Sequence, residues 1–194
     1  MKKQICILLL AFSFFLNNCN KTKYVHLEND SLVKKHFNKN EIKDLRNILF
    51  FFENEINKNC DKTNKECFRQ YLKNGGENYK NKKLGINKEK QANILKNISN
   101  STFNKIWRYG YRTKDSIDII MINPGSKYMD FLEDLGSVKP NIKKYYNAAT
   151  SIPVVLNAGS INYVFFHYND FDLKDEKERL VLAIHFLTLN SIYF

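Results

Sequence analysis

The strongest constraint on the fold is an apolar run near the carboxyl end of the chain. Residues Leu180–Leu189 are almost without polar interruption, and a helix that is apolar on nearly all sides has to be surrounded by other elements. Asp172 is placed to cap this segment, and the acidic residues Asp175 and Glu176 suit the positive end of the helix dipole. The sequence therefore predicts one buried central helix with the rest of the chain packed around it.

Two helices in the first half of the chain begin at recognisable capping sequences. Asn38 and Glu41 are spaced as a capping box, and the apolar residues that follow recur at three and four positions. Thr63 and Glu66 repeat the same form. Further helices are predicted to begin near Asn87, Asn100, Ser126, Pro140 and Ile152.

The ends and faces of these helices are predicted from glycine and from spacing. Asn74-Gly75-Gly76 is typical of a helix stop, so residues 74–86 are predicted to form a loop. The helix after Asn87 is expected to turn Ala92 inward together with its isoleucines and Leu95. The helix after Asn100 is expected to continue through Trp107, and the one from Ile152 to Ala158 is expected to end at Gly159.

Two stretches interrupt the helical rhythm and are predicted to be short strands. Ile117–Ile122 is rich in β-branched residues, and Tyr163–Tyr168 is rich in aromatic ones. The predicted fold class is therefore mainly α: a compact multi-helix domain with one or two short β-strands.

The amino-terminal segment predicts export. Lys2 and Lys3 precede Ile5–Leu16, a twelve-residue apolar run, which is the order of a signal peptide. A membrane span needs about 20 apolar residues, so this run is too short for one. We expect residues 1–18 to be a signal peptide, residues 19–38 a lipid-anchored tether, and residues 39–194 a single helical domain.

The end of the apolar run resembles a bacterial lipobox. Leu16 stands three residues before Cys19, as in the signal that marks a cysteine for diacylglycerol transfer, although Asn18 is larger than the residue usual there. The resemblance implies a lipid on Cys19 and an exported, membrane-anchored lipoprotein of the cell envelope, on its periplasmic or surface side. Each buried CH₂ of the acyl chains would contribute about 0.8 kcal/mol to anchoring. The alternative is an ordinary cleaved signal peptide.

The four cysteines of the chain then divide by role. Cys6 leaves with the signal peptide and Cys19 carries the lipid, so Cys60 and Cys67 remain as a pair. An exported domain permits disulfides, and this pair connects the end of one predicted helix with the first turn of the next. A disulfide is therefore predicted. Zinc is the alternative, but a pair of cysteines without CxxC spacing is a weak metal signature.

Charge is distributed unevenly along the chain. Residues 19–114 hold 22 basic and 10 acidic side chains, whereas residues 115–194 hold 7 and 10. A basic half beside a lipid anchor could lie on anionic headgroups or other envelope polyanions. The alternative is that the lysines form a solvated face, because lysine and asparagine are frequent throughout the sequence.

One cluster carries residue types suited to catalysis or metal binding. His167, Asp170 and Asp172 fall within six residues and could bind a divalent cation or act as a base with its orienting partner. The structural alternative is that Asp172 caps the terminal helix. His185 lies midway along that helix and is expected to be a hydrogen-bonded core histidine. Phosphate-loop, HExxH and GxSxG motifs are absent from the sequence.

An aromatic and basic stretch is the candidate binding surface. Arg108, Tyr109, Tyr111 and Arg112 follow Trp107, and such rings and guanidinium groups stack on sugars or bases and are enriched at protein interfaces. Trp107 itself is expected to point inward. Because the chain is predicted to be exported, a protein or glycan partner is expected rather than nucleic acid.

Three segments resemble parts of uncharacterised small lipoproteins from Bacteroidota. They are Glu178–Leu180 with Ala183–Asn190, and more weakly Phe103–Trp107 and Tyr128–Leu132. The resemblance implies export and a mostly helical domain, and it brings no known activity.

These observations together favour a lipid-anchored cell-envelope protein with a non-catalytic binding or protective, immunity-like role. The lipid on Cys19 is its expected contact with the membrane, and no cofactor or metal is expected. The competing hypothesis is an envelope hydrolase or metal-dependent enzyme that uses His167, Asp170 and Asp172.

Overall fold

A computed structural model describes residues 26–111, 118–151 and 158–193. These residues form nine α-helices and a two-stranded antiparallel sheet, so the predicted mainly α fold class is confirmed. The elements are α1 Ser31–His36, α2 Lys39–Asn57, α3 Asn64–Lys80, α4 Lys88–Asn97, α5 Asn100–Ile106, β1 Trp107–Tyr111, β2 Asp118–Ile122, α6 Lys127–Val138, α7 Pro140–Thr150, α8 Ala158–Phe166 and α9 Glu176–Tyr193.

The carboxyl-terminal helix α9 is the centre of the domain, as predicted. Every residue from 180 to 190 is buried, and the helix packs against α2, α4 and β2. The predicted cap was wrong, however. Asp175 Oδ1 accepts a hydrogen bond from Lys177 N at 2.9 Å, whereas Asp172 Oδ1 accepts from Lys174 N in the turn before the helix. Because several acidic residues precede the helix, spacing alone did not distinguish the one that caps it.

Helices α2 and α3 begin at the two predicted capping boxes. Helix α3 does not stop at Gly75 and Gly76, however, and continues to Lys80. Gly75 is buried against α8, where an added Cβ would lie 3.0 Å from Phe165 Cε1. The glycine is required by a close helix contact, which a helix-stop reading of the sequence does not anticipate. The chain leaves α3 through Lys82, which has a left-handed φ of 54°.

One predicted strand is confirmed, whereas the predicted end of α5 and the second predicted strand are wrong. Strand β2 falls within Ile117–Ile122, and it pairs with β1 in a register that places Trp107 opposite Ile122. Helix α5 therefore ends at Ile106, and Trp107 begins a strand instead of continuing the helix. The predicted strand Tyr163–Tyr168 was wrong, because most of it belongs to α8, whose buried residues recur at helical spacing. Residues 152–157 lie outside the described residues, and Gly159 belongs to the first turn of α8.

The described part of the predicted tether packs onto the domain, so the boundary at residue 38 lies too late. Leu27, Val33 and Phe37 are buried in the core. Lys177 makes an ion pair with Asp30, which also caps α1. The polar composition of this segment concealed three apolar side chains that are spaced to reach the core. The predicted signal peptide and Cys19 lie outside the described residues, within which no helix combines the length and apolarity needed to cross a membrane.

Candidate binding groove

The hairpin that carries the candidate binding surface is tied to the central helix by Trp107. Its indole Nε1 donates a hydrogen bond to Thr188 Oγ1 at 2.8 Å, and Thr188 Oγ1 donates to Ile184 O at 2.7 Å. All three residues are fully buried. Trp107 therefore points inward as predicted, although it does so from a strand, and it fixes the start of β1 against α9.

The alternation of side chains along β1 divides the predicted surface. Tyr109 lies on the same side of the strand as Trp107, and its ring stacks on Phe103 with the centroids 4.8 Å apart. The Tyr109 side chain is 54% exposed. Arg108 is also exposed but lies on the opposite side of the strand. Because they point to opposite sides of β1, Tyr109 and Arg108 do not share one contact surface. The Tyr111 side chain and Arg112 lie outside the described residues.

Tyr109 lines a groove between the sheet and α4, which we call the Tyr109 groove. Its cavity volume is about 240 Å³. Side chains of both polar and apolar character line it: Lys88, Gln91, Ala92, Leu95, Lys96, Tyr109, Ile120 and Ser191. The apolar floor and the exposed phenol ring are thus open to solvent at one site.

The floor of the Tyr109 groove is held by buried hydrogen bonds. Gln91 Nε2 donates to Leu187 O at 2.9 Å, and Asn190 Nδ2 donates to Gln91 Oε1 at 2.8 Å. At the sheet, Ile120 N donates to Ser191 Oγ at 2.9 Å. These bonds connect both walls of the groove to α9, so the groove is formed before any ligand arrives.

The predicted inward face of α4 was partly right, because Ile98 is buried and Leu95 packs against the core, but the network explains why the placement of Ala92 was wrong. Gln91 is buried and Ala92 is exposed, which is the reverse of the order that apolar spacing predicts. A buried glutamine is tolerated here because both ends of its amide have partners on α9. Turning Gln91 inward leaves Ala92 and the half-buried Leu95 facing the groove.

Two lysines stand at the ends of the groove. Lys88 and Lys96 are two helical turns apart on α4, about 12 Å along its axis. Both are exposed, and neither makes a salt bridge with a residue in the described part of the chain. The sequence reasoning missed these residues. The spacing of Lys88, Ala92 and Lys96 at four positions was the signal that could have found them.

No protein-family model, curated protein or solved structure matches the chain. The resemblance of Ala183–Asn190 and its companion segments to small lipoproteins therefore stays a prediction.

The second predicted cluster is only partly assembled. His167 Nδ1 lies 3.5 Å from Asp170 Oδ2, and both side chains are about half exposed. The His167 ring stacks on Tyr163, with the centroids 4.8 Å apart. Asp172 is directed to Lys174 N and shares no hydrogen bond or ion pair with the other two within the described chain. Among the described residues, no three His, Cys, Asp or Glu side chains are arranged to hold a metal ion.

His185 is a core residue, as predicted. It is fully buried, and its Nδ1 lies 3.2 Å from the hydroxyl of Tyr145. Burial lowers the pKa of His185 to about 3, because the imidazolium would lose its hydration there. The ring is therefore neutral at ordinary pH and packs as part of the aromatic core.

The sulfur atoms of Cys60 and Cys67 lie at disulfide-bonding distance, 2.05 Å apart, as predicted. Cys60 is in the turn after α2, and Cys67 is in the first turns of α3. The pair therefore connects the two helices at their corner. Cys19, the predicted lipid site, lies outside the described residues.

Proposed function

We propose that the chain is a lipid-anchored protein of the cell envelope with a non-catalytic, protective role, and that it captures a partner protein in the Tyr109 groove. One observation carries the binding role. The groove combines an apolar floor and an exposed tyrosine with two lysines that have no ionic partner among the described residues. Binding sites of this kind gain affinity from the apolar floor and specificity from the charges at the rim.

The predicted anchor would hold the domain close to the membrane. Only seven residue steps separate Cys19 from His26, where the described chain begins, and an extended chain of that length spans about 25 Å. His26 is fixed to the domain because its Nδ1 lies 2.8 Å from Glu176 Oε1. A short linker between the anchor and the domain suits a protein that binds its partner at the envelope, as an immunity-like protein does.

The spacing of the two lysines indicates the form of the bound segment. An extended strand rises about 3.3 Å per residue, and residues i, i+2 and i+4 share one face. Four residues therefore span about 13 Å, close to the distance between Lys88 and Lys96 along α4. We propose that the partner presents an extended segment with carboxylates at i and i+4 and an apolar side chain at i+2, which would enter between Leu95 and Tyr109.

A synthetic peptide with two glutamates flanking a leucine at these spacings tests the proposal. Fluorescence anisotropy is expected to show saturable, salt-sensitive binding that weakens about tenfold when Lys88 and Lys96 are both changed to Ala. Lys65 and Lys73 are the matched control, because they are also exposed, two turns apart and on a helix, α3, but line none of the grooves described. Equal loss with the control pair, or no binding by the unaltered protein, would contradict the groove assignment.

Anchoring requires its own experiment, because the binding measurement does not depend on it. Changing Cys19 to Ala is expected to abolish labelling with radioactive fatty acid and to release the protein from the membrane fraction. Retained labelling would disprove lipidation at Cys19 and leave the binding proposal intact.

A further inference from the structure

A second recess lies at the corner between α2 and α3 and shares no lining residue with the Tyr109 groove. Its volume is about 210 Å³. The end of α2 forms one wall, one face of α3 forms the opposite wall, and residues 83–85 close it. We call it the amide trough, because four side-chain amides line it: Asn59, Gln70, Asn74 and Asn78.

Three of these amides form a ladder along α3. Gln70, Asn74 and Asn78 are spaced by four residues, so they lie on one face of the helix. None of them, nor Asn59 across the trough, makes a side-chain hydrogen bond with another residue in the described part of the chain. Asparagines elsewhere on the surface do find partners: Asn57 Nδ2 donates to Asn64 Oδ1 at 3.0 Å. The amides of the trough are therefore free to bind a ligand.

The walls of the trough are held in place by bonds that its own lining residues make. The Cys60–Cys67 pair fixes one end. Buried Glu55 fixes the other, because its Oε2 accepts a hydrogen bond from Asn87 N at 3.1 Å. Lys83 N donates to Asn78 O at 2.8 Å and positions the closing segment. The trough is thus formed in advance of binding, which lowers the entropic cost of ordering it.

Tyr71 provides the apolar part of the trough. Its ring packs edge-on against Phe52 and Phe186, with centroids 5.5 and 5.0 Å away, which holds it rigidly in place. The Tyr71 hydroxyl is buried and has no hydrogen-bond partner among the described residues. Burial raises the pKa of Tyr71 well above its usual range, so the hydroxyl keeps its proton.

We propose that the amide trough is a binding site for a neutral carbohydrate. A side-chain amide both donates and accepts hydrogen bonds, as a sugar hydroxyl does, so a ladder of amides matches a polyhydroxylated ring without needing charge. The Glu55 carboxylate is already engaged by Lys58 at the trough wall, and Lys83 is the other charged residue of the lining, so the four amides are its most numerous polar groups. This site is independent of partner capture in the Tyr109 groove, and it would hold the domain to an envelope glycan.

The test uses the full mature chain, residues 19–194, labelled with ¹⁵N and carrying Cys19→Ser for solubility. It is titrated with an N-acetylglucosamine tetramer and, separately, with a glucose tetramer. At least one sugar is expected to produce saturable shifts of the side-chain NH₂ signals of Asn74 and Asn78. Changing both residues to Ala should weaken that binding at least about tenfold while the thermal midpoint stays nearly the same.

Asn93 and Asn97 on α4 provide the matched control. They are also four residues apart on a helix, and both are exposed, whereas of the trough pair Asn74 is exposed and Asn78 is half-buried. The amides of Asn93 and Asn97 hydrogen-bond to each other at 3.5 Å. Changing this pair to Ala should leave sugar binding unchanged. If the Asn74 and Asn78 double variant fails to fold, Asn74→Asp replaces it, because that change keeps the shape and removes the donor.

Two outcomes would overturn the carbohydrate site. One is the absence of saturable shifts with either tetramer up to about 10 mM, a concentration at which a dissociation constant of about 1 mM would be detected. The other is binding that survives the loss of Asn74 and Asn78 or is lost equally with Asn93 and Asn97.

Discussion

The two ends of helix α9 differ in how their charges are used. At its amino end each acidic residue pairs with a cation: Glu176 Oε2 lies 3.4 Å from Arg46 Nη1, and Asp175 and Glu178 contact Lys139 at 3.0 and 2.9 Å. The Glu178 side chain is only 1% exposed. Burial alone would lower the pKa of Lys139, but the hydrogen bonds that its ammonium donates to Glu178 and Asp175 raise that pKa above its usual value.

Near the carboxyl end of α9, the basic residues lack such partners within the described chain. There the Tyr109 groove is open, and Lys88 and Lys96 are exposed without an ionic partner among the described residues. A buried ion pair is costly to break, because the remaining charge has no water to solvate it, whereas a lone exposed lysine contributes little to stability. The amino end therefore stabilises the fold, and the carboxyl end has charges available for a ligand.

The largest test of this contrast removes the cation at the amino end. Lys139→Met is expected to lower the free energy of unfolding by about 3 kcal/mol, because among the described residues Glu178 then keeps as hydrogen-bond partners only Asn141 and the backbone of Asp172. Urea unfolding measures the change. Lys144→Met is the control, since Lys144 is exposed and on the same helix, and it should lie within about 0.5 kcal/mol of the unaltered protein. Similar losses for both variants would remove the contrast.

The second prediction concerns the corner between α2 and α3, which the disulfide holds without an ion pair. Changing Cys60 and Cys67 to Ala releases the corner between α2 and α3 and is expected to cost roughly 2.5 kcal/mol in the chain-entropy model. Mass spectrometry of a non-reduced digest should first show the two cysteine peptides joined. Two free thiols in the exported protein, or a bound zinc ion, would contradict the disulfide.

A third prediction concerns the middle of α9, where buried His185 should make the stability of the fold depend on pH. Its folded pKa lies near 3 and its unfolded value near 6.5, so below pH 6.5 the unfolded chain binds a proton that the folded chain does not. Stability should therefore fall as pH decreases from about 6.5 to 4.5, by about 2 kcal/mol in total.

A matched variant separates this effect from that of the carboxylates. His185→Gln does not titrate but retains an amide that can hydrogen-bond Tyr145, so it should flatten the slope between pH 6.5 and 4.5. The lowered pKa of Glu176 reflects the hydrogen bonds from His26 and Leu27, which outweigh the raising effect of burial. That contribution is present above the unfolded pKa and is lost only at lower pH. An unchanged slope in the Gln variant would show that other groups cause the acid sensitivity.

The parts of the fold that the sequence could predict are those that depend on nearby residues or on burial alone. Capping boxes at Asn38 and Thr63 are local, because the residues that cap a helix are within four positions of one another. The buried position of α9 could also be predicted, because an apolar helix has to be covered by other elements wherever it lies. Local chemistry and burial therefore predicted the helices that form the core.

Predictions failed where a distant element decided the local structure. Gly75 is needed within α3 because Phe165 leaves little room for a side chain there, and Gln91 faces inward because it bonds to Leu187 and Asn190. Neither contact is encoded nearby in the chain. The candidate site failed in the same way: Tyr109 was identified, but its neighbours on α4 depended on a rotation of that helix that only the buried amide network sets.

The smallest expected change in stability is at the Tyr109 groove, near the carboxyl end of α9. Lys88→Met together with Lys96→Met should alter the free energy of unfolding by no more than about 0.5 kcal/mol, because both side chains are exposed and unpaired among the described residues. The same double variant should reduce binding of the acidic peptide and make the remaining binding less sensitive to salt. A large loss of stability would mean that these lysines support the fold, and the distinction between the two ends of α9 would then disappear. Stability that is preserved while binding falls would locate the binding charges at the Tyr109 groove, because the methionines keep the apolar stems and remove only the ammonium groups.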